Sequence, residues 1–215
     1  MDSKKKDETI KQPLIENPEE VTFLEAKERG YSGCKIVSSP KVVTFIDKNI
    51  LDSVIFFHLD FANIVIRCGH LSNIIFDHCE FQNYSFSKLH LSKVIFRSCR
   101  LTGSLFTETF MENVTFEDCD LAYSDFTMSH FKGVLIARSS LKKSYLSDTR
   151  LENTHFIEND FSGSEFEKTK LAGIDFSSSN IQNMSVSIEY LTGITVSSSQ
   201  ALAFLPLLGI KIKEE

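Results

Sequence analysis

From Ile46 to Val196 every fifth residue is apolar, 31 positions in succession, and 24 of these are Phe or Leu. The series begins Ile46, Leu51, Phe56, Phe61, Ile66, Leu71 and never slips. A helix repeats about every 3.6 residues and a strand about every 2.0, so a period of five belongs to neither. A chain patterned in this way must turn a corner at regular intervals and bury one side chain per side. That specifies a solenoid.

Cys79, Cys99 and Cys119 each stand two residues before a register residue and are separated by steps of 20. Four five-residue sides per turn would stack the three thiols about 4.8 Å apart, one strand spacing. His58 with His78, and His70 with His90, repeat the same step. The position two before the register residue is otherwise mostly small, as at Val54, Ser104, Thr109, Val114 and Ser124. Each side then turns one large and one small side chain inward. A Cys column could attract a soft metal, but Ser, Thr and Val at equivalent positions favour core filling. His70, His90 and His130 read as surface residues without recurring carboxylate partners.

Three regions follow. Residues 1–40 lack the register and form an N-terminal segment, partly mobile or capping, in which Glu19 to Gly30 holds a short strand or helix over the first coil. Residues 41–198 form the repeat, and residues 199–215 a distinct C-terminal element. There Ser198 or Ser199 is a credible helix N-cap and Gly209 a credible C-terminal cap, with Pro206 shortening or bending the helix. Ile210 to Lys213 alternate as a half-buried strand would. Leu202, Phe204, Leu205, Leu207, Leu208, Ile210 and Ile212 exceed what a lid needs, which points to self-association.

A chain of 215 residues with 42% hydrophobic content can bury a core, and its net charge of −6 argues against direct nucleic-acid binding. No charge-free apolar run reaches a membrane span, and the charged start lacks a secretory apolar stretch, so a cytoplasmic protein without membrane contact is expected. Five Cys without CxxC spacing build neither a disulfide framework nor a zinc site. No GxSxG elbow or phosphate-cradling loop occurs, so no catalytic residue, metal or cofactor is expected and function falls to the surface.

On the side built around Ile66, Phe86, Phe106, Phe126, Leu146 and Phe166, early Arg67 and Lys88 give way to Glu108, Asp125, Asp148, Glu165 and Glu167, opposed by Lys168. These carboxylates either keep the rod soluble or imitate the charge line of a nucleic acid for a basic protein groove.

The runs Ser124-Asp125-Phe126-Thr127, Asn159-Asp160-Phe161-Ser162-Gly163, Ile174-Asp175-Phe176-Ser177 and Ser179-Asn180-Ile181-Gln182 resemble the pentapeptide-repeat family over about three quarters of the chain. The resemblance implies an all-β fold, a right-handed quadrilateral β-helix about eight coils tall, with a short C-terminal helix or strand element. Gln200, Ala201, Leu207, Leu208, Gly209 and Ile210 resemble the tail of the Qnr quinolone-resistance family. That likeness implies a homodimer through the C-terminal element and binding to DNA gyrase or topoisomerase IV, protecting these enzymes from fluoroquinolones. Pro206 within the tail and the lack of loop insertions depart from that family. A structural or scaffolding repeat protein with another protein partner is the alternative.

Overall fold

The computed structural model of the chain describes residues 10–47 and 50–211. It is a β-solenoid. Six eight-residue strands carry it: β4 (Ile50–Phe57), β6 (His70–Asp77), β7 (His90–Arg97), β8 (Phe110–Glu117), β9 (His130–Ala137) and β10 (Arg150–Ile157), while the short strands β3 (Thr44–Ile46) and β5 (Ile64–Ile66) pair with each other in a second sheet. Each pairs in parallel with the strand one step of 20 before it, Leu71 on Leu91 and Phe76 on Phe96, so one turn is four five-residue sides. Full strands recur in about six turns, fewer than the eight obtained by dividing the register by four. Later turns continue through single bridges, such as Asp160 with Asn180 and Asp175 with Thr195.

Register side chains fill the interior. Phe86 and Phe106 stack at 4.8 Å with planes 5° apart, Phe106 and Phe126 at 4.9 Å and 6°, while rings of neighbouring sides, such as Phe96 and Phe106, meet edge to face. Both arrangements suit the aromatic quadrupole. The small residues do more than fill space. Thr109 Oγ1 donates to the Phe86 carbonyl at 3.0 Å, Thr149 Oγ1 to that of Phe126 at 2.9 Å, and the Cys99 thiol to that of Phe76 at 3.3 Å. Each clips the backbone of the turn below, satisfying a buried acceptor.

Corners fall two residues after the register position. There the backbone turns left-handed at Asn73 (φ 51°), Lys93 (φ 52°), Asn113 (φ 56°) and Asn153 (φ 47°), so one long strand bends around two sides. Asn tolerates this conformation, whereas other L residues are strained in it.

The sheet starts before position 41. Strand β2 (Cys34–Ile36) pairs with β4, Cys34 opposite Val54 and Ile36 opposite Phe56, and β1 (Glu19–Val21) pairs with β2. Helix α1 (Phe23–Arg29) lies between β1 and β2, begun by a capping box between Thr22 and Glu25 and ended by left-handed Gly30. Phe23 and Ala26 are buried, and Phe23 meets Tyr31 edge to face. Upstream, the Lys11 amide donates to Asn113 Oδ1 at 3.1 Å and Gln12 Nε2 to Thr115 Oγ1 at 3.2 Å. The segment thus straps the outer wall of β8, and outward-facing Ile95 and Thr115 are buried there.

At the other end, helix α2 (Ser198–Ala201) is capped by Ser197, one residue before the expected cap, because Ser197 and Gln200 form a capping box. A 3₁₀ helix over Leu202–Leu208 accommodates Pro206, and Gly209 closes it with φ 74°. Of the strand expected from Ile210, Ile210 and Lys211 are exposed and in no regular element, while Ile212 and Lys213 lie outside the described residues.

Candidate protein-binding face

The five carboxylates singled out above share one side of the rod but occupy three parallel columns. The central column runs Leu105, Asp125, Tyr145, Glu165, Ser185, joined rung to rung by parallel bridges. Glu108 and Asp148 belong to a corner column with Lys88, Met128 and Lys168, all left-handed. Glu167 lies between the two columns. The charge line is therefore interrupted, by Tyr145 in one column and by Met128 in the other.

Their electrostatic states differ. Glu108 pairs with Lys88 at 3.5 Å, in an exposed position where such pairs contribute little. Asp125 Oδ1 accepts the Thr127 amide at 2.8 Å and so fixes its own turn. Glu167 accepts hydroxyl hydrogens from Ser187, at 2.5 Å, and Ser185, at 2.8 Å, and these bonds hold its carboxyl below the usual range. Asp148 and Glu165 are exposed, and their carboxylates make no hydrogen bond or ion pair with the described residues. Two carboxylates thus present open charge while three also serve the scaffold.

The charge pattern alone misses the apolar half of this side. Leu105 and Tyr145 are exposed in the central column, Met128 is 62% exposed on the trailing corner, and Tyr123 is 53% exposed on the leading corner. Lys143 Nζ sits 5.6 Å from the centre of the Tyr123 ring. Counting outward positions in steps of 20 would have found them.

The Cys column is buried, and among the described residues no group of three His, Cys, Asp or Glu side chains is placed to hold a metal. Burial pushes the Cys99 thiol well above its ordinary range. His70, His90 and His130 are half-buried rather than fully exposed. His70 and His90 rings lie 4.3 Å apart, and Phe110 meets His90 and His130 edge to face at 4.8 Å. In the tail, Leu202, Leu207 and Ile210 are exposed and Phe204 packs on the core. Leu205 is half-buried, while the Leu208 side chain and Ile212 lie outside the described residues. No helix among the described residues is long and apolar enough to cross a membrane.

A 20-residue parallel coil with a stacked Phe and Leu interior and clipping small residues defines a pentapeptide-repeat solenoid. The chain belongs to the pentapeptide-repeat family: the pentapeptide repeat region matches residues 69–146, and pentapeptide repeats in eight copies match 138–183. Among solved structures it is similar to HetL, a pentapeptide repeat protein involved in heterocyst differentiation regulation from the cyanobacterium Nostoc sp. strain PCC 7120. That match has 12% identity and a TM-score of 0.61, over 81% of this chain and 89% of that one. It is also similar to full-length QnrB1, a plasmid-mediated fluoroquinolone resistance protein, at 20% identity and a TM-score of 0.37, over 82% of this chain and 100% of that one. A thylakoid-lumen pentapeptide repeat protein from Arabidopsis thaliana matches at 16% identity and a TM-score of 0.33, over 62% of this chain and 72% of that one. No curated protein matches the chain in sequence.

Proposed function

We propose that this protein is a non-catalytic, cytoplasmic rod that binds DNA gyrase or topoisomerase IV as a homodimer and lowers fluoroquinolone action on them. The observation that supports the reading is the side bearing Glu108, Asp125, Asp148, Glu165 and Glu167, whose acids, though interrupted by Tyr145 and Met128, would complement a basic groove. The exposed tail residues Leu202, Leu207 and Ile210 support end-to-end pairing of two rods, which would lengthen that surface.

Gyrase supercoiling in the presence of ciprofloxacin tests this directly. The protein is expected to restore supercoiling, and replacing the five acids together with Lys is expected to abolish the rescue while preserving the fold. Absence of rescue at any protein concentration would overturn the topoisomerase reading. It would leave a scaffold for a different protein partner, which the interruption of the acid line by Tyr145 and Met128 favours.

A further inference from the structure

Among the described residues between 51 and 190 seven large hydrophobic side chains are exposed: Ile157 and six others. Those six, Val65, Leu105, Tyr123, Met128, Tyr145 and Ile188, lie on the acidic side or its two corners. Scattered exposed apolar residues need no explanation, but their concentration on one side and its two corners marks an interaction surface. Tyr and Met are also enriched where protein interfaces are buried.

The order along the rod is specific. The central column alternates Leu105, Asp125, Tyr145, Glu165, apolar and acidic by turns, on rungs joined by parallel bridges. At about 4.8 Å per rung, Leu105 and Tyr145 stand about 9.6 Å apart, as do Asp125 and Glu165. Seven residues of an α-helix advance about 10.5 Å, so a helix lying along the rod can set an apolar residue on each apolar rung and a cation on each acidic one. Met128 and Tyr123 flank the column and would close over the helix from either side. Three rungs span about 14 Å, the length of roughly ten helical residues.

We infer that this side is a docking surface for a basic amphipathic helix of a protein partner, with Leu105, Tyr145 and Met128 as its apolar anchors. The inference rests on the reading that this side engages protein. It replaces a uniform charge line with an alternating one, in which the acids select and orient the partner and the apolar residues hold it.

The probe is an 18-residue helical peptide with Leu at seven-residue intervals and Arg four residues after each Leu, on an Ala and Gln background. Its binding to the full chain is measured by calorimetry at low and at 0.5 M salt. Binding that persists at high salt is expected. The exposed triple substitution Leu105→Ser, Met128→Ser, Tyr145→Ser is expected to weaken it at least tenfold with unchanged circular dichroism, while Ile157→Ser on another side leaves it intact. No binding to the unaltered chain, or equal binding to the triple variant, overturns the inference, and neither result depends on any topoisomerase. If gyrase protection exists and survives the triple variant but not the five-Lys variant, the docking inference falls while the proposed function stands.

Discussion

The side-chain amide of Gln200 donates to the backbone carbonyl of Phe176 at 2.9 Å, and also to that of Ser179 at 2.5 Å. Elsewhere in the rod a residue 23 positions on serves such a carbonyl, as Thr149 serves Phe126. Twenty-three positions after Phe176 the chain has left the coil for α2, so Gln200, held in its capping box, takes that part. Gln200→Ala leaves both acceptors without this donor and is expected to cost about 1–2 kcal/mol. Urea unfolding reads the loss, and hydrogen exchange is expected to quicken first at Ile194 and Thr195.

Phe106 lies between Phe86 and Phe126 in one stack and meets Phe96 and Phe116 edge to face. Phe106→Ala is expected to destabilise by about 3–5 kcal/mol, since the neighbouring rungs are hydrogen-bonded and cannot collapse onto the gap. Phe106→Leu is expected to cost less than about 1.5 kcal/mol, because Leu146 already fills this register two turns on. Denaturant midpoints of the two variants measure the contrast.

Gly103 has φ +69°, and a Cβ built there would lie 2.4 Å from Asn83 Oδ1. Gly103→Ala is expected to cost about 1–2 kcal/mol through left-handed strain, with the Asn83 side chain displaced. A smaller loss in the Gly103→Ala, Asn83→Ser double variant than in the single one would isolate the contact.

Stability should have a plateau near neutral pH and fall on both sides. Burial raises the thiols of Cys34, Cys68 and Cys99 and pushes the hydroxyls of Tyr31 and Tyr84 up to about 12. The unfolded chain then loses protons first, from about pH 8.5 for thiols, and stability declines as pH rises. On the acid side burial, followed by the charge of neighbouring His70, lowers His90, with Glu112 opposing; the unfolded chain gains a proton first below about pH 6.5. Glu112 and Glu167 are held low by Lys132 and by Ser187, respectively, so their contribution is lost as pH falls through the carboxylate range. Melting temperature against pH is expected to trace this profile, and thiol reagents at pH 7.5 should label the Cys column only on unfolding.

Sedimentation tests the tail. A dimer is expected for the full chain, and Leu202→Asp with Leu207→Asp should yield monomers of unchanged circular dichroism whose melting temperature no longer depends on protein concentration, because both side chains are exposed in the single chain. Phe204→Asp should instead unfold the end, since Phe204 packs on the core.

The interior was legible from sequence because Phe76, Phe96 and Phe116 must repeat for rings to stack, and repetition is visible in a string of letters. The left-handed corners were not, since Lys93, Met128 and Tyr123 have no intrinsic preference for that conformation and adopt it because hydrogen-bonded rungs on either side impose it. The strap was equally hidden: Lys11 and Asn113 are 102 residues apart and carry no pattern that pairs them. On the candidate face the five acids fall on one side but in three columns, a division that the charge pattern did not disclose. Tyr145 and Leu105 were passed over because charge alone was followed along that side, although the same step of 20 places them in the column of Asp125 and Glu165.

A turn of four equal sides also limits how such a rod can change in length. Insertion of five residues with the right apolar letter would preserve the packed interior, yet it would rotate everything after it by a quarter turn and split Leu105 from Tyr145 onto different walls. Only whole multiples of 20 leave a surface continuous. The core would tolerate four times as many length variants as the face, so natural lengthening or shortening of this array should occur in full turns wherever one wall must meet a partner.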